Sequence, residues 1–133
     1  MEVELLPCVT PPRKPCQQWQ SLPRVVKAFC HSAAGLRSAY AYEAAFREEV
    51  WVSLILLVVS FFLRVSFRDH LLLIVPLLFV LLVELLNSAI EAAVDYISLD
   101  LHPMAKRAKD MGSAAVLLSI VMVVLVWVGV LWE

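Results

Sequence analysis

The sequence predicts an all-α membrane protein with an N-terminal surface helix followed by three transmembrane helices. Of the 133 residues, 62% are hydrophobic and 17% are charged, and the mean hydropathy is +0.82. A water-soluble domain of this length, which is at most one domain's worth of chain, needs a far more polar surface. Three apolar runs, at 50–63, 71–94 and 113–132, provide the second observation.

Residues 1–23 are a proline-rich segment that we expect to be a disordered tail, separate from the membrane domain at 24–133. Five of the seven prolines lie in this segment, and proline opposes helix and favours extended chain. We expect no cleavable signal peptide, because the first twenty residues contain no apolar run after a basic start. The three cysteines match no zinc spacing and are expected to be free thiols.

Residues 24–49 predict one amphipathic helix at the membrane surface. Apolar side chains such as Val26 and Phe29 alternate with basic ones such as Arg24 and Lys27, and this mixture is typical of helices that lie in the interface. We expect this surface helix to lead into the first transmembrane helix.

The three spans are predicted at 50–65, 71–94 and 113–132. The apolar run of the first has fourteen residues and is short for a bilayer, which requires about 20. Pro76 is expected to kink the second span. The third span contains no charged residue, and tryptophans near its end fit an aromatic belt.

The basic residues predict the orientation. Six precede the first span and three lie between the second and third spans, whereas only Arg64 and Arg68 lie on the other side. The positive-inside rule therefore places the N-terminus and the 95–112 loop in the cytoplasm, and the C-terminus outside. The net charge of −1 gives no basic excess for phosphate neutralisation, which argues against nucleic-acid binding.

Polar residues form a row inside the second span, at Glu84, Asn87, Ser88, Glu91 and Asp95. At 100° per residue all five fall within about 60° of one line along the helix. Asn87 and Ser88 alone would fit hydrogen bonds that hold helices together. A carboxylate at the centre of a bilayer costs about 2.5 kcal/mol or more, so two glutamates favour an ion, proton or catalytic site.

A phosphate site in this chain would rely on cations and a metal ion and not on a glycine-rich loop, because the chain has only three glycines and no GxxxxGK[ST] motif. Glu91 and Glu43 could hold Mg²⁺, which favours one or two carboxylates plus phosphate oxygens. Lys109 could stabilise phosphate charge, and Glu84 could serve as a general base for a hydroxyl. These residues alone leave a membrane enzyme and an ion-handling protein both open.

The stretch VELLNSAIEAAVD at 83–95 resembles the signature of the prokaryotic diacylglycerol kinase family, small membrane kinases unrelated to the soluble lipid kinases. Similar blocks of that family are VVKA at 25–28, GLRSAYAYEAAFREE at 35–49 and AKRAKDMGSAAVLL at 105–118. Because their order and spacing also fit, the resemblance covers nearly everything from Arg24 to Trp132.

The resemblance implies a homotrimeric helical bundle in the bacterial inner membrane, with active sites built between subunits. In that membrane, the orientation expected from the positive-inside rule corresponds to a cytoplasmic N-terminus and a periplasmic C-terminus. The implied reaction transfers the γ-phosphate of Mg-ATP to the free hydroxyl of diacylglycerol, giving phosphatidic acid. ATP and the membrane lipid are thus the implied partners, and Mg²⁺ is the implied cofactor.

The resemblance also implies roles for individual residues. Glu84 would be the proton acceptor, Glu43 and Glu91 the metal ligands, and Asn87 a supporting residue. The implied nucleotide contacts are Arg24, Glu43, Glu91, Asp100, Leu101, His102, Lys109 and Asp110. The implied lipid contacts are Arg24, Arg37, Ala45, Phe46, Arg47, Glu48, Glu49, Glu84, Ser113, Trp127 and Trp132.

Two alternatives stay open. An undecaprenol kinase of the same family would share the fold and the glutamates, although the AFREE block at 45–49 looks closer to the diacylglycerol type. A non-enzymatic ion or proton pathway, formed by several copies, would need the glutamates of the second span but not Glu43, Lys109 or Asp110.

Overall fold

The structure is a computed structural model that describes residues 23–97 and 102–132. These residues form four α-helices and no β-strand: α1 (Arg24–Tyr42), α2 (Ala44–Phe62), α3 (Phe67–Ile97) and α4 (Pro103–Trp132). The prediction of an all-helical chain is confirmed for this part of the protein. The predicted tail lies outside the described residues except for Pro23.

Two of the helices, α3 and α4, are long and apolar enough to cross a membrane. They have 31 and 30 residues, and at 1.5 Å per residue each extends about 45 Å, more than the roughly 30 Å of a hydrocarbon core. Helix α2 has 19 residues, and its role as a third span stays a prediction.

Both long helices extend beyond the predicted spans. Helix α3 begins before residue 71 and continues past residue 94, and α4 begins ten residues before the predicted start at 113. Most of the expected 95–112 loop is therefore helical, and the charged residues at 102–110 lie on or beside the first turns of α4.

The chain divides into two compact units at Ala34 and Gly35, within α1. In the first unit, the structure describes residues 23–34, a helical segment whose Val25 and Phe29 side chains are exposed. The second unit contains the rest of α1 and helices α2, α3 and α4.

The expected single helix over 24–49 is interrupted at Glu43. Helix α1 ends at Tyr42 and α2 begins at Ala44, because Glu43 has an extended backbone with φ −102° and ψ 115°. Its N–H still donates to the carbonyl of Ala39 at 2.9 Å. The interruption is therefore confined to one residue, and that residue is a predicted metal ligand.

Arg47 explains how the chain tolerates this interruption. The last carbonyls of a helix lack intrahelical partners, and Arg47 Nη1 donates to two of them, Tyr40 O at 3.2 Å and Ala41 O at 3.0 Å. The pattern of apolar and charged residues does not reveal such a contact, which is why the sequence predicted a continuous helix.

The core of the second unit lies where α3 packs against α4 and α2. Its buried residues are Leu73, Leu77, Val80, Val123 and Trp127. The indole Nε1 of Trp127 donates to Leu73 O at 3.2 Å, which joins α4 to α3 in the turn that contains Pro76. This core fixes the register of α3 against α4, and hence the position of the polar row.

Candidate active site

The polar row of α3 is buried at its Glu84 end and exposed at its Asp95 end. Glu84 is 4% exposed, and Asn87 and Ser88 are buried as well, whereas Glu91 is half-buried and Asp95 is exposed. The row thus runs from a buried carboxylate to the exposed end of α3. A buried carboxylate in a helix that is apolar enough to cross a membrane is typical of a functional group.

Asn87 links the two glutamates of this row. Its Nδ2 donates to Glu91 Oε1 at 3.2 Å, and its side chain also interacts with Glu84. Glu91 follows Asn87 by one helical turn and Glu84 precedes it by one, so the amide lies between them. This placement agrees with the supporting role predicted for Asn87.

Glu43 joins this group from a different helix boundary. Both Glu91 and Glu43 interact electrostatically with Glu84, and Glu43 is half-buried. The structure therefore places both predicted metal ligands near the predicted base. They come from α3 and from the break between α1 and α2.

Lys109 reaches the exposed end of the row from α4. Its Nζ lies 2.6 Å from Asp95 Oδ1, and it also interacts electrostatically with Glu91. Asp95 belongs to the predicted row but had no predicted role. Because Asp95 follows Glu91 by one helical turn, the sequence could have suggested a role for Asp95 beside Glu91.

Glu49 forms the polar end of a cavity of about 390 Å³ between α2, α3 and α4. The cavity is otherwise lined mostly by apolar side chains, among them Val52, Leu77 and Val123. Glu49 Oε2 is buried and has no hydrogen-bond partner in the described part of the chain. Burial, followed by the charge of Glu84, raises the pKa of Glu49 to about 7.

The other predicted lipid contacts are distributed over the second unit. Phe46 and Trp127 are buried, whereas Arg37, Ser113 and Trp132 are exposed. Ala45 and Glu48 line the same cavity as Glu49. Their roles in lipid binding stay predictions.

The predicted nucleotide contacts are only partly described. His102 Nδ1 accepts a hydrogen bond from the Met104 N–H at 3.2 Å, at the start of α4, and Asp110 forms an exposed ion pair with Lys106 at 3.7 Å. Arg24 lies in the first unit. Asp100 and Leu101 lie outside the described residues.

The described residues of one chain offer a metal ion few ligands. Among the described residues, no group of three or more His, Cys, Asp or Glu side chains is arranged to hold one. Mg²⁺ typically binds proteins through one or two carboxylates and completes its coordination with water and substrate phosphates. Glu43 and Glu91 therefore fit a metal ion that arrives with a nucleotide better than one held by protein alone.

The known proteins that are similar to this chain belong to one family. The sequence profile of the prokaryotic diacylglycerol kinases matches residues 30–131. The diacylglycerol kinase of Escherichia coli K12 is 47% identical over 110 residues, covering 83% of this chain and 90% of that protein. The Pseudomonas aeruginosa enzyme is 46% identical with 83% and 89% coverage, and that of Helicobacter pylori 26695 is 42% identical with 78% and 81% coverage.

The matched region contains Glu43 and all of α2, α3 and α4 up to Leu131. It therefore contains Glu43, Glu84 and Glu91. Together with the two apolar helices, the match indicates a membrane protein. This chain belongs to the prokaryotic diacylglycerol kinase family.

Proposed function

We propose that this protein is a membrane lipid kinase that transfers the γ-phosphate of Mg-ATP to the hydroxyl of diacylglycerol, giving phosphatidic acid. The observation that carries the proposal is the buried Glu84, linked through Asn87 to the half-buried Glu91 within a helix apolar enough to cross a membrane. The names of the relatives, all diacylglycerol kinases, support the choice of lipid.

Glu84 accepts the proton of the lipid hydroxyl in this proposal. The hydroxyl oxygen forms a bond to the γ-phosphorus while the bond to the β–γ bridging oxygen breaks, and ADP leaves with that electron pair. The proton passes to the Glu84 carboxylate, a role that requires a base within hydrogen-bonding reach of the hydroxyl. The burial of Glu84 keeps bulk water away from the reacting group.

The phosphates are held at the more exposed end of the row. Glu43 and Glu91 would bind the metal ion that accompanies ATP, and this ion neutralises phosphate charge when bound. Lys109 supplies a further positive charge. The proposed nucleotide contacts are completed by Arg24, Asp100, Leu101, His102 and Asp110.

The lipid approaches along the helices, with its hydroxyl towards Glu84. Ala45, Glu48 and Glu49 border the cavity between α2, α3 and α4, and its largely apolar lining suits an acyl chain. Its proposed lipid contacts are Arg24, Arg37, Ala45, Phe46, Arg47, Glu48, Glu49, Glu84, Ser113, Trp127 and Trp132.

The protein is proposed to work as a homotrimer in the bacterial inner membrane, with spans at 50–65, 71–94 and 113–132. Large apolar side chains are exposed along α2, α3 and α4, which suits contact with lipid or other subunits. The excess of basic residues at the N-terminus and before the third span supports a cytoplasmic N-terminus and a periplasmic C-terminus.

The test is transfer of labelled γ-phosphate from Mg-ATP by the purified protein in mixed micelles, with diacylglycerol and undecaprenol in parallel. We expect product mainly from diacylglycerol, and none from Glu84→Gln, a variant that keeps the shape of the side chain and removes the base. Assembly, measured by size-exclusion chromatography in detergent, should be unchanged in this variant.

Other outcomes would redirect the proposal. Product mainly from undecaprenol would keep the mechanism and change the substrate to a polyprenol. If folded protein gave no product from either lipid, the kinase proposal would be overturned, and measurements of ion flux in vesicles would test the ion-pathway alternative.

A further inference from the structure

Gly112 lies where α4 approaches the polar row of α3. A methyl group built on Gly112 would overlap Oδ1 of Asn87 and would lie 3.3 Å from Asn87 Cγ. Gly112 is itself buried. The absence of a side chain at position 112 therefore creates the space in which the Asn87 amide lies.

The Asn87 amide lies between Gly112 and Glu91 in this space. Its Oδ1 is buried and has no hydrogen-bond partner among the described residues, and it faces the Gly112 backbone. Its Nδ2 donates to Glu91 Oε1 at 3.2 Å. Because the amide group is planar, a rotation that moves Oδ1 away from position 112 also moves Nδ2 away from Glu91.

We infer that Gly112 is a positioning residue for Glu91, acting through the orientation of the Asn87 amide. The inference rests on the proposed function in that it takes Glu91 to be a ligand of the metal that accompanies ATP. The Asn87 hydrogen bond engages Glu91 Oε1 and would orient the Glu91 carboxylate towards a metal ion that accompanies ATP. Hydrogen-bond partners of metal ligands typically change metal affinity by about 10- to 100-fold when they are lost.

A second glycine provides a matched control. Gly129 lies on the same helix, and apart from its chain neighbours and the adjacent backbone of α4, no atom of the described residues lies within 4 Å of a methyl group built there. Gly112→Ala and Gly129→Ala thus introduce the same group into α4, with the same gain in helix propensity of about 1 kcal/mol. Only the first would displace Asn87.

The first experiment measures binding without turnover. Binding of Mn²⁺ to each variant is followed by electron paramagnetic resonance in the presence of a non-hydrolysable ATP analogue. We expect the Mn²⁺ dissociation constant to rise at least about tenfold in Gly112→Ala and to be unchanged in Gly129→Ala. Unchanged binding in Gly112→Ala would overturn the inference, whereas wild-type protein that bound no Mn²⁺ with the analogue would overturn the proposed function.

The second experiment tests the route through Asn87. In a double-mutant cycle, Asn87→Ala removes the amide that the new methyl group would meet, so Gly112→Ala should add little to its effect on Mn²⁺ affinity. Additive effects would overturn the inference. The side-chain ¹⁵NH₂ signals of Asn87, assigned by their loss in Asn87→Ala, should shift in Gly112→Ala and not in Gly129→Ala, whether or not a nucleotide binds.

Discussion

Lys109 Nζ lies 2.6 Å from Asp95 Oδ1, which joins the last turns of α3 to the first turns of α4. The pair lies one helical turn beyond Glu91, with which Lys109 also interacts electrostatically. Lysine has a long flexible side chain that loses considerable rotamer entropy when it is ordered. Asp95 therefore holds the Lys109 ammonium near the place where the proposed nucleotide phosphates bind.

Asp95→Asn is expected to raise the KM for ATP severalfold with a smaller effect on kcat. The amide keeps the shape of the side chain but loses the charge that attracts Lys109, so ordering of the lysine must occur when ATP binds. Both side chains are more than one-third exposed, and exposed ion pairs contribute only about 0–1 kcal/mol to stability. Thermal unfolding should thus change little, and initial rates at varied ATP measure the effect.

Arg107→Gln is the control for this prediction. It removes an exposed positive charge from the same helix and leaves the Asp95–Lys109 pair intact. We expect at most a small rise in its KM for ATP, because salt screens exposed charges. A general effect of surface charge would instead lower the KM for ATP in Asp95→Asn, since that variant loses a negative charge. A lower KM in Asp95→Asn would therefore show that surface charge, not the position of Lys109, sets the affinity for ATP.

Arg47→Met is expected to lower kcat/KM for ATP by about tenfold or more. The variant keeps a long side chain but removes the two hydrogen bonds to Tyr40 O and Ala41 O, which hold the break between α1 and α2. Glu43 lies at this break, and small displacements of a positioned group can reduce rates by up to about 100-fold. Amide hydrogen exchange over residues 39–47 should become faster.

Arg47→Lys tests whether the loss of exchange protection and the loss of rate have the same cause. Both hydrogen bonds come from the single Nη1 atom of Arg47, and a lysine ammonium also carries several N–H donors. Because the lysine side chain is shorter, we expect partial recovery of both the exchange protection and the rate. Faster exchange in Arg47→Met with an unchanged rate would mean that the break is structural and does not position Glu43.

Glu49 should make the stability of the protein depend on pH. Its folded-state pKa is about 7, raised from 4.5 by burial and by Glu84. Between these two values the folded state binds more protons than the unfolded state, so the stability contributed by this group is lost as pH rises from about 4.5 to 7. The unfolding temperature in detergent should therefore be lower at pH 8 than at pH 5.

Glu49→Gln tests this pH dependence. The amide does not titrate, so the decrease in unfolding temperature from pH 5 to pH 8 should become smaller than in the wild type. Glu48→Gln changes the neighbouring exposed carboxylate and should keep the wild-type slope. If Glu49→Gln also kept that slope, another group would be responsible for the pH dependence.

The spacing of Glu84, Asn87 and Glu91 was sufficient to predict a polar row on one face of a helix, because helical periodicity alone determines which residues share a face. The break at Glu43 could not be predicted in this way. It depends on Arg47 reaching back to carbonyls six and seven residues earlier, and the residues around it are all compatible with a continuous helix.

The packing between helices also could not be predicted from the sequence. The sequence contains Gly112 and Asn87, but only the register of α3 against α4 shows that the glycine makes room for the amide. The burial of Glu49 likewise depends on how α2 packs beside α3. Helical periodicity predicted which face of α3 is polar. The contacts between helices determine which polar side chains of that face are packed against a neighbour, as Asn87 is against Gly112.

The variant Trp127→Phe tests whether Trp127, a predicted lipid contact, instead stabilises the helix packing. Its indole Nε1 donates to Leu73 O at 3.2 Å, and its side chain is buried in the core of the second unit. Trp127→Phe keeps an aromatic ring and loses this hydrogen bond, which should destabilise the protein by about 1 kcal/mol. The unfolding temperature should fall by a few degrees, while the KM for diacylglycerol stays unchanged if the role is structural.

For Trp132→Phe, on the same helix, we expect no loss of stability, in contrast to Trp127→Phe. Trp132 is 88% exposed, so its replacement should leave the unfolding temperature unchanged, and an effect on the KM for diacylglycerol would indicate contact with the lipid. If Trp127→Phe raised the KM without lowering the unfolding temperature, the indole would act on the substrate, and its hydrogen bond to Leu73 would contribute little to the packing of α3 against α4.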